Sequence, residues 1–317
     1  MIEGIPRISV RIITYKQEVL IKRAIDSLLV QKDYIYEICV SDDCSPDGTW
    51  DVLLEYAEAN PGLFKLNRNE RNLGIFENFE KSWEMPTGDL IYALAGDDEV
   101  GPGWFKSVVE FVMSNRIDYK NELICIYGDY RCIYQNGDQF TFHNSLVQNN
   151  VNTLRLALRG LIGNRGSCYS IGIMKRFKKV SQGRSHIAED AIDRQLQFFT
   201  DKSFYIPQVA NIYHTYIGVS AHMSDETMKE RAMIRQYALN LLESWGAELS
   251  EKDKLHSLHC FPAYEKMLHK LSPRNIATWL YWSLRSYDKS LPIERSWFQH
   301  LSFAIRRRLP HNAPIIS

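Results

Sequence analysis

The sequence predicts a mixed α/β fold whose central, mainly parallel sheet is flanked by helices. Between residues 8 and 95, short apolar runs alternate with segments of helical periodicity, which is the pattern of a parallel sheet covered on both faces. The dipeptide Asn136-Gly137 stands between two strand-like runs and indicates an antiparallel hairpin added to that sheet. From Thr227 onward the pattern is helical, which predicts a helical C-terminal extension.

The predicted elements follow one another in a regular order. In the first hundred residues the predicted strands are Ile8–Thr14, Glu37–Ser41, Leu63–Leu66 and Leu90–Ala95. The predicted helices between them are Glu18–Val30, Trp50–Ala57 and Phe76–Met85. The second half is predicted to hold strands at Leu123–Tyr134, Gln139–Phe142, Cys168–Ile173 and Ser203–Tyr216, and helices at Thr153–Leu161 and Ala188–Phe199. Ser272-Pro273 is predicted to cap and open a later helix.

Composition excludes several classes of protein. Of 317 residues, 45% are hydrophobic and 24% charged, as in an ordinary soluble globular protein. Lys+Arg and Asp+Glu balance at 38 each, so no global field attracts a polyanion, and we expect no nucleic acid partner. The six cysteines lack a CxxC pair or zinc-type spacing, which favours reduced thiols and a cytoplasmic protein. The first residues do not resemble a signal peptide.

Acidic side chains directly follow one of the buried strands. Asp42 and Asp43 come after the apolar residues Ile38-Cys39-Val40. The carboxyl ends of parallel strands form the ligand crevice of an open α/β sheet, so these carboxylates are expected to face a ligand. The alternative is a solvated acidic surface, because residues 33–58 contain eight acids and neither Lys nor Arg.

A second acidic segment, Asp97-Asp98-Glu99, follows the strand Leu90–Ala95 in the same way. Adjacent acids repel one another unless a cation neutralises them, and Mg²⁺ or Mn²⁺ prefers oxygen ligands together with substrate phosphates. An acid-rich turn without a ligand is the alternative. Because the sequence has neither GxGxxG nor GxxxxGK[ST], phosphate binding is assigned to metal and side chains. A third pair, Glu189-Asp190, either serves a reaction or caps the predicted helix beside it.

Several segments together resemble the family 2 glycosyltransferases of the GT-A fold. Four matching segments lie in the first hundred residues, namely Ile8–Tyr15, Ala24–Gln31, Val40–Thr49 and Asn72-Leu73-Gly74 with Asn78. Two departures stand out: Arg11 replaces a usual apolar residue, and Ala95 stands where many members carry the first acid, so the motif here is GDDE. The resemblance fades after about residue 221. It implies a GT-A catalytic domain over 1–221, with a nucleotide-binding half over 1–100 and an acceptor half over 101–221, followed by a helical region over 222–317.

The resemblance implies roles for individual residues. For the donor nucleotide it implies Thr14, Tyr15, Asp42, Asp43, Asn72 and Asp97. For a Mn²⁺ or Mg²⁺ ion it implies Asp98, Glu99 and His214, although the division of roles within Asp97-Asp98-Glu99 stays open. Asp190 matches the acceptor base of the family's ED pair, and Arg194, one helical turn later, is expected to orient that base or the donor.

The implied reaction moves a sugar from a nucleoside diphosphate, with UDP favoured, to a hydroxyl of a glycan or lipid-linked acceptor. The metal stabilises the leaving diphosphate, Asp190 removes the hydroxyl proton, and a single displacement inverts the anomeric centre. The expected setting is surface polysaccharide synthesis at the inner face of the cytoplasmic membrane. Trp297, Phe298 and Leu301, beside Arg306-Arg307-Arg308, either form an interfacial helix on anionic lipid or pack on the catalytic domain.

Two other functions remain open at this point. A sugar nucleotidyltransferase also needs acids and metal, but it is expected to carry a loop rich in glycine and basic residues after its first strand. Thr14-Tyr15-Lys16-Gln17 is not such a loop. A catalytically inactive nucleotide-sugar-binding subunit is the other alternative, and the altered GDDE motif keeps it open.

Overall fold

The computed structural model describes residues 4–134, 136–144, 153–159, 166–173, 197–215, 225–270 and 272–287. The N-terminal elements are β1 (Ile8–Thr14), α1 (Leu20–Leu29), β2 (Glu37–Asp42), α2 (Thr49–Ala59), β3 (Phe64–Arg68), α3 (Ile75–Ser82) and β4 (Leu90–Ala95). They are followed by β5 (Glu99–Val100), α4 (Trp104–Ser114), β6 (Ile124–Ile133), β7 (Gln139–Phe142), α5 (Thr153–Leu158), β8 (Ser167–Ser170) and β9 (Lys202–His214). The C-terminal helices are α6 (Asp225–Ser244), α7 (Glu251–Leu255), α8 (Phe261–His269) and α9 (Pro273–Arg285).

The described strands form a single sheet in the order β3-β2-β1-β4-β8-β6-β9-β5, with β7 paired to β6. Strands β3, β2, β1 and β4 are parallel to one another. Strand β8 is antiparallel to both β4 and β6, whereas β6 and β9 are parallel. The predicted mixed α/β sheet with flanking helices is therefore confirmed, and its parallel ladders lie mainly in the N-terminal half.

Apolar side chains cover both faces of this sheet because successive residues of a strand point to opposite sides. Along β4, Leu90, Tyr92 and Leu94 belong to a cluster with α1 and α4. Ile91 belongs to a second cluster that includes residues of α3, α5 and α6. Helix α1 contributes Ile21, Ala24, Ile25 and Leu28 to the first cluster. This packing holds the carboxyl ends of β1, β2 and β4 at one edge of the molecule.

Most predicted elements are present, and the differences have local causes. The strand predicted at Cys168–Ile173 ends at Ser170, and residues 171–173 are helical. The amide of Ile171 bonds to the carbonyl of Asp89 at 3.0 Å as the chain leaves the sheet. Helix α4 and strand β5 were not predicted. Of the helix predicted at Ala188–Phe199, residues 188–196 lie outside the described residues, and those from 197 form a turn.

The C-terminal helices pack on the sheet domain and on one another. Ile234, Leu239 and Leu242 of α6 join the second apolar cluster. Ser272 caps α9 by accepting a hydrogen bond from the amide of Asn275, which confirms the predicted Ser272-Pro273 start. Of the helices described, none is long and apolar enough to cross a membrane.

Candidate active site

Asp42 ends β2 and Asp43 follows it, and both side chains are buried. Asp42 is fully buried and accepts hydrogen bonds from the Ser45 amide at 3.0 Å and the Ser45 hydroxyl at 2.5 Å. The Nε of Arg68 lies 3.6 Å from Asp42 Oδ2, the oxygen that accepts from the Ser45 amide. Asp42 therefore shapes the loop after β2 and lies beside the guanidinium of Arg68.

Asp43 organises the loop that precedes α3. Its Oδ1 accepts from the Leu73 amide at 2.9 Å and from Asn69 Nδ2 at 2.8 Å, and its Oδ2 accepts from the Gly74 amide at 2.9 Å. Gly74 has a φ of 88°, a conformation in which a side chain would be strained. The exposed Asn72 also accepts from the Gly74 amide, at 3.0 Å. The structure thus brings Asp43 and Asn72 together on one loop.

The loop after β1 is bonded to the loop after β2. The Thr14 carbonyl accepts from the Asp43 amide at 3.0 Å, and the Lys16 amide donates to the Ser45 hydroxyl at 3.0 Å. Thr14 is buried, and its hydroxyl donates to Gln17. Tyr15, the next residue in this loop, is 38% exposed, so its ring is open to a ligand.

The GDDE segment meets the end of β9 beside β4. Asp98 is buried, and its Oδ1 accepts from the His214 amide at 3.2 Å. Glu99 Oε1 lies 2.7 Å from His214 Nε2 and 3.5 Å from Arg23 Nε. Half-buried Asp97 accepts at its carbonyl from Arg23 Nη2, at 2.5 Å. His214, which lies more than 100 residues away in the sequence, is therefore a neighbour of Asp98 and Glu99, and all three are predicted metal ligands.

The donor atoms at GDDE fit a magnesium-type ion better than a zinc-type ion. Mg²⁺ commonly takes one or two protein carboxylates and completes its coordination with phosphates and water. Asp97, Asp98 and Glu99 supply such oxygens. Within the described ranges, no group of three or more His, Cys, Asp or Glu side chains forms a ready metal cage. An ion at this edge would therefore depend on a bound diphosphate for much of its coordination.

The two acidic groups are neighbours because β1 lies between β2 and β4. In the sheet, Thr14 is opposite Asp42, and Ile13 is opposite Ala95. The groups around Asp43 and around Asp98 therefore share one edge, at the carboxyl ends of three parallel strands. The remaining predicted site residues, Asp190 and Arg194, lie outside the described residues.

Sequence reasoning missed one cation and a second cluster at this edge. Arg23 of α1 contacts both Asp97 and Glu99. Arg23 lies two positions after the buried residue Ile21 on α1, and nothing in the local sequence indicates that it reaches the GDDE segment. The second cluster, around Asp129 and His143, joins residues that are 14 positions apart and that only the β6–β7 hairpin brings together.

Solved structures share the fold. The crystal structure of S. aureus TarS residues 1–349 in complex with UDP-GlcNAc superposes with a TM-score of 0.62 at 17% identity. That likeness covers 87% of this chain and 79% of the TarS chain. At this level of identity it shows a common fold, and the fold agrees with the predicted GT-A architecture.

Curated relatives match parts of the chain. The Mycobacterium tuberculosis protein Rv1520 is 28% identical over 39% of this chain, and the match spans 35% of Rv1520, about a third of its length. The processive diacylglycerol beta-glycosyltransferase of Mycoplasma pneumoniae is 24% identical over 45% of this chain and 48% of its own. The sequence model of the family 'Glycosyl transferase family 2' matches residues 9–179. The match covers more than half of the chain and includes the carboxyl ends of β1, β2 and β4. With both acidic groups inside that match, the chain belongs to glycosyl transferase family 2, a family of glycosyl-transferring enzymes.

Proposed function

We propose that this protein is an inverting, metal-dependent glycosyltransferase that uses a nucleoside-diphosphate sugar, with UDP favoured. The acceptor is a hydroxyl of a glycan or a lipid-linked sugar in surface polysaccharide synthesis. One observation carries the proposal: the family match covers the strand edge at which the groups around Asp43 and Asp98 meet. The binding of UDP-GlcNAc by TarS, which shares the fold, supports a UDP-sugar donor.

On the donor side, each acidic group has a distinct task in the proposal. The loop held by Asp43 and Asn72, with the exposed ring of Tyr15, contacts the base and ribose. The carboxylates of Asp97, Asp98 and Glu99, with His214, face the diphosphate. When bound there, Mn²⁺ or Mg²⁺ supplies Lewis-acid stabilisation of the negative charge on the leaving diphosphate.

Arg23 keeps this acidic segment in position. Its guanidinium spans the Asp97 carbonyl and the Glu99 carboxylate, so it fixes the turn while lowering the local negative charge. A fixed turn matters because carboxylates hold charged ligands well only when their geometry is set in advance.

On the acceptor side, Asp190 is proposed as the base that removes the hydroxyl proton, with Arg194 orienting it or the donor. A carboxylate with an ordinary pKa of about 4 is ionised at neutral pH, and a positioned base contributes roughly 10²–10⁴ in rate. The name of the Mycoplasma pneumoniae relative, a diacylglycerol glycosyltransferase, supports a lipid-linked acceptor.

The test is nucleotide release from a panel of UDP-, GDP-, dTDP- and CDP-sugars, with Asp190→Asn as the variant. We expect one nucleotide to be released by the wild type and a loss of about 10²-fold or more in the variant, with donor binding retained. Glu110→Gln, on the exposed face of α4, is the matched control and should keep full activity. Donor binding without transfer by either form would favour the inactive nucleotide-sugar-binding subunit. Release of pyrophosphate from a nucleoside triphosphate and a sugar phosphate would favour the nucleotidyltransferase.

The proposed location is the inner face of the cytoplasmic membrane, with the C-terminal region in contact with lipid. Helix α9 supports this because several of its large apolar side chains are exposed, namely Leu280, Tyr281 and Leu284. The basic segment Arg306–Arg308 lies outside the described residues. A variant truncated after Ser290 should cosediment less with phosphatidylserine vesicles than the full chain. Unchanged cosedimentation would remove the membrane contact from the proposal.

A further inference from the structure

Strand β6 carries a second polar cluster to the same edge of the sheet. Tyr92 of β4 is opposite Cys168 of β8, which is opposite Ile126 of β6. Three residues further along the parallel strands β4 and β6 are Ala95 and Asp129. Asp129 therefore lies level with the residue that precedes the GDDE segment, two strand spacings or about 10 Å away.

A bulge in the neighbouring strand β9 lies beside this position. The pairing of β6 with β9 shifts register on both sides of Asp129. Between the pairs Tyr127–Tyr205 and Asp129–Val209, β9 has three residues where β6 has one, so the bulged strand is β9. Bulges are frequent beside active sites. The carboxylate of Asp129 is turned toward the start of the segment that follows β7, where it meets His143 and Asn144.

Asp129 holds the imidazole of His143 in a defined orientation. The carboxylate is buried, and its Oδ2 lies 2.7 Å from His143 Nδ1. Its Oδ1 accepts from the Asn144 amide and from the Tyr205 hydroxyl, both at 2.8 Å. Burial and the bond to Asp129 raise the pKa of Tyr205, so this hydroxyl remains a donor. Three donors thus converge on one buried carboxylate.

The outer nitrogen of His143 faces solvent. The side chain of His143 is 62% exposed although its Nδ1 is bound. A carboxylate can only accept, so Nδ1 carries a proton, as assigned from the hydrogen-bond partners, and Nε2 is left for a ligand. Four residue pairs between β6 and β7, together with the bond from the Asn144 amide to Asp129, already hold the β6–β7 hairpin. The contact between His143 and Asp129 is additional to them. An oriented imidazole at an open ligand edge is suited to a polar ligand.

We propose that His143, oriented by Asp129, is an acceptor-binding residue whose Nε2 forms a hydrogen bond with a sugar hydroxyl. This inference rests on the proposed function, and it assigns an acceptor contact to the β6 side of the edge. The groups proposed for the base and ribose lie at the carboxyl ends of β1 and β2, so β4 and β8 separate them from this acceptor contact on β6 in the sheet.

Two substitutions separate the two nitrogens of the ring. His143→Asn keeps a polar atom near Nδ1 for Asp129 and removes the outer nitrogen. His143→Gln keeps a polar atom at the level of Nε2 and loses the oriented contact with Asp129. Gln139→Ala, at an exposed position of the same hairpin, is the matched control.

The probes are octyl β-glycosides of glucose, galactose and N-acetylglucosamine, with the nucleotide sugar that the wild type uses. We expect His143→Asn to raise the KM for the glycoside by about 3- to 10-fold, the loss of one hydrogen bond. The KM for the donor and the thermal midpoint should not change. His143→Gln should recover part of the glycoside KM, and Gln139→Ala should behave as the wild type. An unchanged glycoside KM, or an equal rise in the donor KM, would overturn the inference.

Chemical protection provides a readout that is independent of turnover. Diethylpyrocarbonate modifies exposed imidazoles, and mass spectrometry gives the rate at each histidine. Glycoside together with nucleotide should slow modification of His143, whereas nucleotide alone should not. Unslowed modification at saturating glycoside would overturn the inference while leaving the proposed function intact. A wild-type protein that binds no nucleotide sugar would refute the proposed function itself.

Discussion

At the scale of single residues, the site is built from acids whose oxygens are already in use. Asp43 receives two backbone amides and one side-chain amide, and together they fix the loop before α3. Hydrogen bonds to a carboxylate are stronger than those between neutral groups, and losing one leaves a buried donor unsatisfied. Asp43 thus prepares the surface that a nucleotide is proposed to contact.

Asp43→Asn should weaken this loop. One carboxylate oxygen becomes an NH₂ group that faces the amide of Leu73 or Gly74, so a hydrogen bond is replaced by two opposed donors. We expect a loss of about 1–3 kcal/mol in the free energy of unfolding, measured with urea. Asp51→Asn, at an exposed position of α2, is the control and should change little. Equal unfolding curves for both variants would show that Asp43 does not organise the loop.

Some residue positions could be predicted from the sequence, and others could not. Asp98 and Glu99 were assigned to the site because acids follow a buried strand, and the structure indeed places them together with His214. Arg11, in contrast, is a buried cation on β1 that bonds to Ser82 and lies 4.3 Å from the Phe79 ring centroid. Both partners belong to α3, and no local pattern reveals such a pairing across 70 residues.

At the scale of elements, periodicity identified the strands whose burial is set by their own residues. Strands β1, β4 and β7 have the predicted bounds. Strand β5 has only two residues and exists because Glu99 and Val100 pair with Ile212 and Asn211 of β9. Such a strand is decided by long-range pairing, so the sequence around it carries no signal. Helix α4, in contrast, has an apolar periodicity in its own sequence, and the prediction overlooked it.

Helix α7 is attached to α5 by a buried ion cluster. Asp253 is fully buried, 2.7 Å from Arg155 Nε and 2.6 Å from Arg159 Nε. Burial favours the neutral acid, but hydrogen bonds from Arg155, Ser250 and Arg159 outweigh it and lower the pKa of Asp253. Helix α5 of the sheet domain and helix α7 of the helical C-terminal region therefore share an interaction that neither has alone.

Asp253→Asn should destabilise the protein strongly, because it leaves the buried guanidinium of Arg159 without its counter-charge. The expected loss in the free energy of unfolding is about 3–5 kcal/mol, measured with urea at neutral pH. Glu251→Gln on the same helix changes an exposed acid and should cost far less. A loss of unfolding free energy no larger than that of Glu251→Gln would mean that the ion cluster does not stabilise the packing of α7 on α5.

At the scale of the whole molecule, buried acids make stability depend on pH. Glu37 accepts from the Ser9 hydroxyl at 2.6 Å and the Thr87 amide at 2.5 Å, and it pairs with Lys65. Burial alone would raise the pKa of Glu37, but the bonds from Lys65, Ser9 and Thr87 outweigh burial and lower it. A lowered folded-state pKa gives stability that is present above the unfolded pKa of about 4.3 and is lost as pH falls.

Glu37→Gln should therefore cost most at neutral pH. We expect a deficit of about 1–3 kcal/mol at pH 7 that shrinks as the pH falls below about 4, where the wild-type acid also becomes neutral. Urea unfolding at several pH values measures it, with the exposed Glu55→Gln as a control. A deficit that stays constant down to pH 3 would assign the effect to packing and not to charge.

The central claim is that the edge formed by β1, β2 and β4 binds a nucleoside diphosphate through its acids and a divalent ion. Thermal unfolding with UDP, GDP, dTDP or CDP, each with Mn²⁺ or with chelator, tests it most directly. A ligand at about 100 times its Kd stabilises by roughly 2.7 kcal/mol, enough to raise the midpoint by several degrees. We predict that one nucleotide, UDP first, shifts the wild type only with Mn²⁺ and does not shift Asp98→Asn. An equal shift with chelator, or no shift with any nucleotide, would contradict the claim.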